Sequence, residues 1–382
     1  MKIILAPDSY KGTMSSTEIC EIMRNEIKAE LTECEIMAVP IADGGEGTVD
    51  SFLYAAGGEK ITLQISDPYF NEVESFYGLI NNGKTAVIEM AAAAGLPMVG
   101  ERKDPSITTT FGLGQLVLHA LEHGAKDIVV GLGGSCTNDC GCGMAAALGV
   151  KFYNRAGKEF IPVGGTLDEV ERIDVSSSRK KLDGVRLRAM CDVDNPLYGE
   201  NGAAYVFAPQ KGADEEMTQI LDKKLRCFGE ILEQIVGEKD ACLFPGAGAA
   251  GGLGAGMKIL LQAETLPGIE AVLDAVNFDD LLLGCDMVFT GEGRIDGQSL
   301  RGKAIIGIAR RAKRKNVPVI AVVGDSVDES LGPAYDAGVT AVFTINRMAI
   351  PFTEAKLRAK TDLCYTIRNI SRILKAVKWK AG

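Results

Sequence analysis

KIILAPDSYKGTMSSTEICEIMRNEIKAEL, residues 2–31, passes from a short apolar run through a polar turn into a helical repeat. Lys2–Ala6 reads as a buried strand. Ser15-Ser16-Thr17-Glu18 then has the form of a capping box, with Ile19, Ile22, Met23, Ile27 and Leu31 following at helical spacing. The alternation continues with a strand over Glu35–Val39 and a helix over Gly47–Ala56. It returns late in the chain, where Met287–Thr290, Pro318–Val323 and Thr340–Ile345 read as strands with helices between them. Strands alternating with helices define an α/β fold over a parallel sheet. A closing amphipathic helix, with Leu363, Ile367, Ile370, Leu374 and Val377 on one stripe, is expected to dock on that sheet.

The middle of the chain has a different pattern. Ile61–Ile65, Glu72–Leu79 and Thr85–Glu89 are closely spaced runs separated by Asp67-Pro68 and Asn81-Asn82-Gly83, the marks of an antiparallel meander. Asp214–Val236 reads as one long helix. A mixed-sheet α/β domain over 61–265 is therefore expected to be inserted into an outer domain made of 1–60 and 266–382. At about 100–200 residues per domain, 382 residues suit two or three such units.

Glycine is in excess, 45 residues or roughly 12% against a usual ~7%, without a short-period repeat. It is expected in turns and where backbone approaches a ligand. The formal charge of −10 argues against a dedicated nucleic-acid binder. Arg310-Arg311-Ala312-Lys313-Arg314-Lys315 reads as the solvated end of a helix. The ten cysteines do not form a secreted framework, and Cys191, Cys242 and Cys285 sit in apolar runs as core thiols. No secretory leader or run of ~18 apolar residues is read, so a cytoplasmic protein is expected, with no membrane partner.

Ligands of open α/β sheets bind beyond the carboxyl ends of the strands. Six strand ends lead into loops that carry a carboxylate, most with adjacent glycine: Asp8-Ser9-Tyr10-Lys11, Asp43-Gly44-Gly45-Glu46, Gly131 to Asp139, Cys191-Asp192-Val193-Asp194, Gly291-Glu292-Gly293-Arg294-Ile295-Asp296 and Gly324-Asp325-Ser326. In Gly133-Gly134-Ser135-Cys136-Thr137-Asn138, backbone N–H groups and hydroxyls precede a helix beginning near Asp139, a pattern suited to phosphate. Clustered carboxylates would repel a polyanion unless Mg²⁺ lay between them, which suits a nucleotide–Mg²⁺ pair. Lys11 and Arg294 have the charge to neutralise a transferred group or hold a substrate carboxylate.

Other motifs carry less. Gly246-Ala247-Gly248-Ala249-Ala250-Gly251 matches a dinucleotide fingerprint in letters, but the strand–turn–helix unit that fingerprint needs is missing. The segment reads as a loop bringing backbone close to a ligand or another domain, or as a hinge. Cys136, Cys140 and Cys142 lack a second pair for a metal site. His119 and His123, the only histidines, form a helix face, so a general base is expected to be a carboxylate.

The stretches APDSYKGTMSS (6–16), PIADGGEGT (40–48), GLGGSCTNDCGCGMAAALG (131–149), MCDVDNPLYG (190–199), PGAGAAGGLGAG (245–256) and TGEGRIDGQSLRGKA (290–304) resemble, in order, those of the bacterial glycerate kinase family of the type that phosphorylates the 2-hydroxyl. The resemblance covers essentially the whole chain. It implies transfer of the γ-phosphoryl group of ATP, with Mg²⁺, to D-glycerate. It also implies two α/β domains, the first discontinuous and flavodoxin- or Rossmann-like, with the active site in the cleft. On chemical grounds Asp192 is the expected base and Asp296 the next choice. Asp43 and Glu46 are expected at Mg²⁺. Gly133, Gly134, Ser135, Thr137 and Asn138 are expected to hold phosphate, with Asp8, Ser9 and Glu292 also binding substrate or nucleotide. Lys11 and Arg294 are expected to contact the glycerate carboxylate and the transferring group. A monomer or homodimer is expected. A kinase of another small hydroxy acid, or of the 3-hydroxyl, is the alternative, followed by a dinucleotide-dependent oxidoreductase and a non-catalytic binding protein.

Overall fold

The computed structural model describes residues 1–42, 44–297, 299–301 and 303–377. The first strands are β1 (Lys2–Pro7), β2 (Glu35–Ala38), β3 (Glu59–Ser66), β4 (Glu72–Ile80) and β5 (Thr85–Glu89). They are followed by β6 (Asp127–Gly131), β7 (Lys151–Asn154), β8 (Glu159–Phe160), β9 (Val170–Asp174) and β10 (Arg186–Met190). The last are β11 (Glu264–Leu266), β12 (Met287–Ile295), β13 (Val319–Ser326) and β14 (Val339–Thr344).

The chain divides into two compact units. One comprises Met1–Ala42, Tyr54–Gly57 and the described residues from Ile269 onward; the other comprises Gly44 to Leu53 and Gly58–Gly268. The first holds a five-stranded sheet in the order β14-β13-β12-β1-β2 with every pairing parallel. Counted within the unit, that order is 5-4-3-1-2, the flavodoxin-like arrangement, whose switch point lies between its first and third strands, here β1 and β12.

Both faces of this sheet are covered. Ile320 and Val322 of β13 join Ile3, Leu5 and Phe289 in a core closed by the helices Ser16–Glu30 and Phe352–Ala376. The alternate residues Ala321 and Val323 point to the opposite core with Ile305, Ile306 and Ala309. That alternation is the period-two geometry of a strand buried on both sides. The capping box is formed: the Ser15 N–H donates to Glu18 Oε2 at 2.9 Å, and the Glu18 N–H donates to Ser15 Oγ at 3.2 Å.

Several local expectations change. The apolar run of β12 ends at Thr290, but strand pairing with β13 continues through Glu292↔Val323 and Arg294↔Asp325. Backbone pairing, rather than hydrophobicity, carries that extension. The stripe of the final helix ends at Leu374, since Val377 is 61% exposed. Arg311 is not part of a solvated helix end: it is buried, with ion pairs to Glu270, Asp274 (2.6 Å) and Asp279 (3.3 Å).

The second unit holds a six-stranded mixed sheet, β11-β10-β6-β5-β4-β3, and a small antiparallel sheet, β8-β7-β9. The meander is present as β3-β4-β5, and β5 also pairs in parallel with β6. The long helix Glu215–Val236 is capped by the Asp214 side chain, which accepts from the Met217 N–H at 2.8 Å. The glycine-rich segment is neither an exposed hinge nor a dinucleotide loop. It forms the buried helix Ala249–Leu260, with left-handed backbone at Ala250, Gly251 and Gly252. A Cβ on Gly251 would lie 2.0 Å from the Thr137 carbonyl oxygen, and one on Gly256 would lie 2.1 Å from that of Cys140. Its glycines serve close backbone packing within the unit.

Candidate active site

In the second unit, three strand-end loops converge. Gly131, at the end of β6, lies so close to the 44–45 turn that a Cβ on it would sit 2.5 Å from the Gly44 carbonyl oxygen. The Gly133 N–H donates to the same carbonyl at 2.9 Å, and the Leu132 N–H donates to the carbonyl of Met190, at the end of β10, at 3.2 Å. Gly134 takes φ +77°, a conformation that turns the chain towards Ser135. Alanine at Gly133 would place a Cβ 2.7 Å from the Gly45 Cα. Gly133→Ala is therefore expected to cost about 1–3 kcal/mol in urea unfolding, because backbone rather than a flexible side chain must give way.

Beneath this loop sits a cation that the sequence reading did not single out. Lys211 is only 2% exposed, and its Nζ donates to Ser135 Oγ at 2.8 Å and to the Thr137 carbonyl at 2.7 Å. Burial pulls its pKa down to about 8, partly opposed by Cys136 and Asp139. Its signal was a lone lysine between Pro209-Gln210 and Gly212, after the apolar Tyr205-Val206-Phe207-Ala208. Thr137 Oγ1 and both side-chain polar atoms of Asn138 are buried without a hydrogen-bond partner among the described residues. Unsatisfied groups of this kind are costly; a ligand oxygen would satisfy the Thr137 hydroxyl and the Asn138 NH₂, whereas Asn138 Oδ1 needs a donor.

Asp139 is fully buried and anchors the loop from behind. Its carboxylate accepts from the Thr110 N–H and hydroxyl, both at 2.8 Å, and from the Gly141 and Gly143 N–H groups, both at 3.1 Å. Glu89, also unanticipated, ends β5 and accepts from the Val49 N–H at 3.1 Å, at the start of the helix Thr48–Ala56. Burial raises its pKa. Of the expected metal pair, Asp43 lies outside the described residues and Glu46 is exposed on the turn. Among the described residues, no group of three or more His, Cys, Asp or Glu could hold a metal ion, Cys136, Cys140 and Cys142 included. Asp192 is exposed, and its Oδ1 accepts from the Gly268 N–H at 2.7 Å.

The first unit carries a carboxylate group at the β1/β12 switch point. The Asp8 N–H donates to the Gly291 carbonyl at 2.8 Å, and the Ser9 N–H donates to Asp8 Oδ1 at 2.6 Å. Asp296 and Ser299 bond reciprocally, the Asp296 N–H to Ser299 Oγ at 3.2 Å and the Ser299 N–H to Asp296 Oδ1 at 3.3 Å. Glu292 stands among them at 5% exposure, and its Oε1 has no hydrogen-bond partner among the described residues. Burial pushes its pKa up to about 7. A hydrogen bond with Ser299 and the charge of Lys303 oppose the rise, and Asp8 and Asp296 add to it. The buried Tyr10 hydroxyl donates to the Val322 carbonyl at 2.7 Å. Lys11 is exposed, and Arg294, also exposed, lies 3.7 Å from Asp325.

Each unit thus presents strand-end loops rich in glycine and carboxylates. The chain is 45% identical over 381 residues to a glycerate kinase of Bacillus cereus and 42% identical over 383 residues to the glycerate 2-kinase of Escherichia coli, covering all of both partners each time. A crystal structure of a Salmonella typhimurium LT2 protein assigned as glycerate kinase 2 superposes with a TM-score of 0.84 at 38% identity, covering all of both chains. Residues 3–375 match the sequence profile of the glycerate kinase family, and the chain belongs to that family.

Proposed function

We propose that the protein transfers the γ-phosphoryl group of ATP to the 2-hydroxyl of D-glycerate, giving 2-phosphoglycerate and ADP. The observation that carries this reading is the full-length relation to a protein named for the 2-hydroxyl, at 42% identity. The buried loop chemistry supports it. Glycine N–H groups at Gly133 and Gly134, with Ser135, Thr137 and Asn138, suit nucleotide phosphate oxygens, and Lys211 brings positive charge to the same loop.

Phosphoryl transfer rests mainly on positioning and on neutralising charge. Lys11 and Arg294 are the groups for the glycerate carboxylate and the transferring phosphoryl, with Asp8 and Ser9 as further binding groups. Mg²⁺ would enter with the nucleotide, its ligands being phosphate oxygens, retained waters and one or two carboxylates, so a prebuilt cage of side chains is not needed. Asp43 and Glu46 are the carboxylates proposed to complete its shell. The acceptor hydroxyl needs a proton acceptor, and Asp192, Asp296 and Glu292 are the carboxylates available.

Incubation with ATP, Mg²⁺ and D-glycerate is expected to produce 2-phosphoglycerate, identified by phosphorus NMR. A 3-phosphoglycerate signal would keep the kinase and reverse the hydroxyl. No phosphorylated product would sink the reading.

A further inference from the structure

We propose that Glu292 is the general base that removes the proton from the acceptor hydroxyl, an inference that rests on the kinase reading. The strand order places β12 beside β1 at the switch point of a flavodoxin-like sheet, where ligands of such sheets bind. Glu292 lies near the carboxyl end of β12, only 5% exposed, with Oε1 buried and without a hydrogen-bond partner among the described residues. A buried carboxylate oxygen with no donor is costly in a folded protein, and a substrate hydroxyl is the kind of donor that would satisfy it.

The competing carboxylates are engaged differently. Asp192 is exposed and its Oδ1 takes the Gly268 N–H. Asp296 is tied to Ser299 in a reciprocal pair that shapes the turn after β12. The groups acting on Glu292 are Asp8 from the end of β1, Asp296 and Ser299 from the following turn, and Lys303 beyond it. Tyr10 is coupled to it as well, its own pKa raised by burial and by the Glu292 charge. Burial dominates and holds the Glu292 pKa at about 7, where a base is half ionised near neutrality and still strong enough to accept a proton.

In the step, the hydroxyl oxygen attacks the γ-phosphorus as its proton passes to Glu292 Oε1. The bond from the γ-phosphorus to the β,γ-bridging oxygen breaks, ADP leaves with that electron pair, and Glu292 returns the proton to solvent after product release. The balance requires no other reactant.

The test is Glu292→Gln, which keeps shape and removes basicity. Its kcat is expected to fall roughly 10²–10⁴-fold, with ATP and glycerate binding retained and the unfolding midpoint not lowered. Glu292→Asp, which keeps the carboxylate on a shorter arm, should recover part of the loss. In the wild type, kcat/KM for glycerate should rise with pH through an inflection near 7, and that limb should vanish in Glu292→Gln. Glu292→Gln turnover within threefold of wild type would overturn the assignment. So would a wild-type limb inflecting near 4–5, or the large loss appearing only in Asp192→Asn. Wild-type protein that phosphorylates no small hydroxy acid would instead remove the kinase reading, and the base with it.

Discussion

Lys211→Met is expected to raise the KM for ATP about 10–100-fold while leaving the protein folded. The Lys211 Nζ makes two hydrogen bonds, to Ser135 Oγ at 2.8 Å and to the Thr137 carbonyl at 2.7 Å. These bonds hold the ammonium in place beneath the loop. An interaction of that charge with an anionic ligand, at the about 1.5–3 kcal/mol of a hydrogen bond to a charged group, corresponds to a tenfold to hundredfold change in affinity, since each 1.4 kcal/mol is tenfold. Methionine fills similar volume but supplies neither the bonds nor the charge that an anionic ligand would meet. Because burial holds the Lys211 pKa at about 8, its charge is lost as pH rises through that value. The wild-type KM for ATP should therefore climb above pH 8, and that climb should be absent in the variant.

The effect on stability has its own sign. A lysine with a depressed folded-state pKa contributes stability that is present above its unfolded pKa and lost as pH falls through about 8. Wild type should thus gain stability relative to Lys211→Met between about pH 8 and 10.5. Initial-rate kinetics and urea unfolding across this range check both points. A lowered melting temperature with an unchanged KM would mean that Lys211 only braces the loop.

Asp139→Ala should be the most damaging single substitution in the loop that follows β6, costing about 3–5 kcal/mol. The carboxylate accepts four hydrogen bonds in a fully buried site, so its removal strands three backbone N–H groups and the Thr110 hydroxyl. Each unsatisfied buried donor costs about 1–3 kcal/mol, less whatever water recovers. Asp139→Asn is expected to be milder but still harmful. Three of the donors meet Oδ2 and one meets Oδ1, so an amide must turn its NH₂ towards at least one N–H. Thermal unfolding would show Asp139→Ala melting roughly 5–10 °C below wild type. A shift of only 1–2 °C would mean that the loop is held by its glycine packing instead.

The contrast between Lys211 and Ser135 shows what could be read from the chain. Ser135, Thr137 and Asn138 were legible because a strand, paired glycines and hydroxyls occur within a few consecutive residues. Lys211 is 76 residues from Ser135 and has no local motif, so only folding brings its charge under the loop. Arg311 shows the opposite failure. Its neighbours Arg310, Lys313, Arg314 and Lys315 suggested a solvated cluster, but helical geometry turns this one cation inward towards Glu270 and Asp274. A run of like residues in sequence is spread around a helix at about 100° per residue.

Local periodicity by itself determined the α/β character, the capped first helix, the long helix ending at Val236 and the loops that carry carboxylates and glycine. Those features are set by interactions within a few residues, which spacing records. Only the tertiary structure decided that β1 and β12, some 280 residues apart, lie side by side, and that the glycines of 246–256 serve packing rather than a cofactor. It also decided which carboxylate is buried. Asp192, Asp296 and Glu292 are alike as letters at strand ends, but their exposure depends on which distant strands and turns cover each one, and burial is what separates a surface acid from one with a pKa near 7.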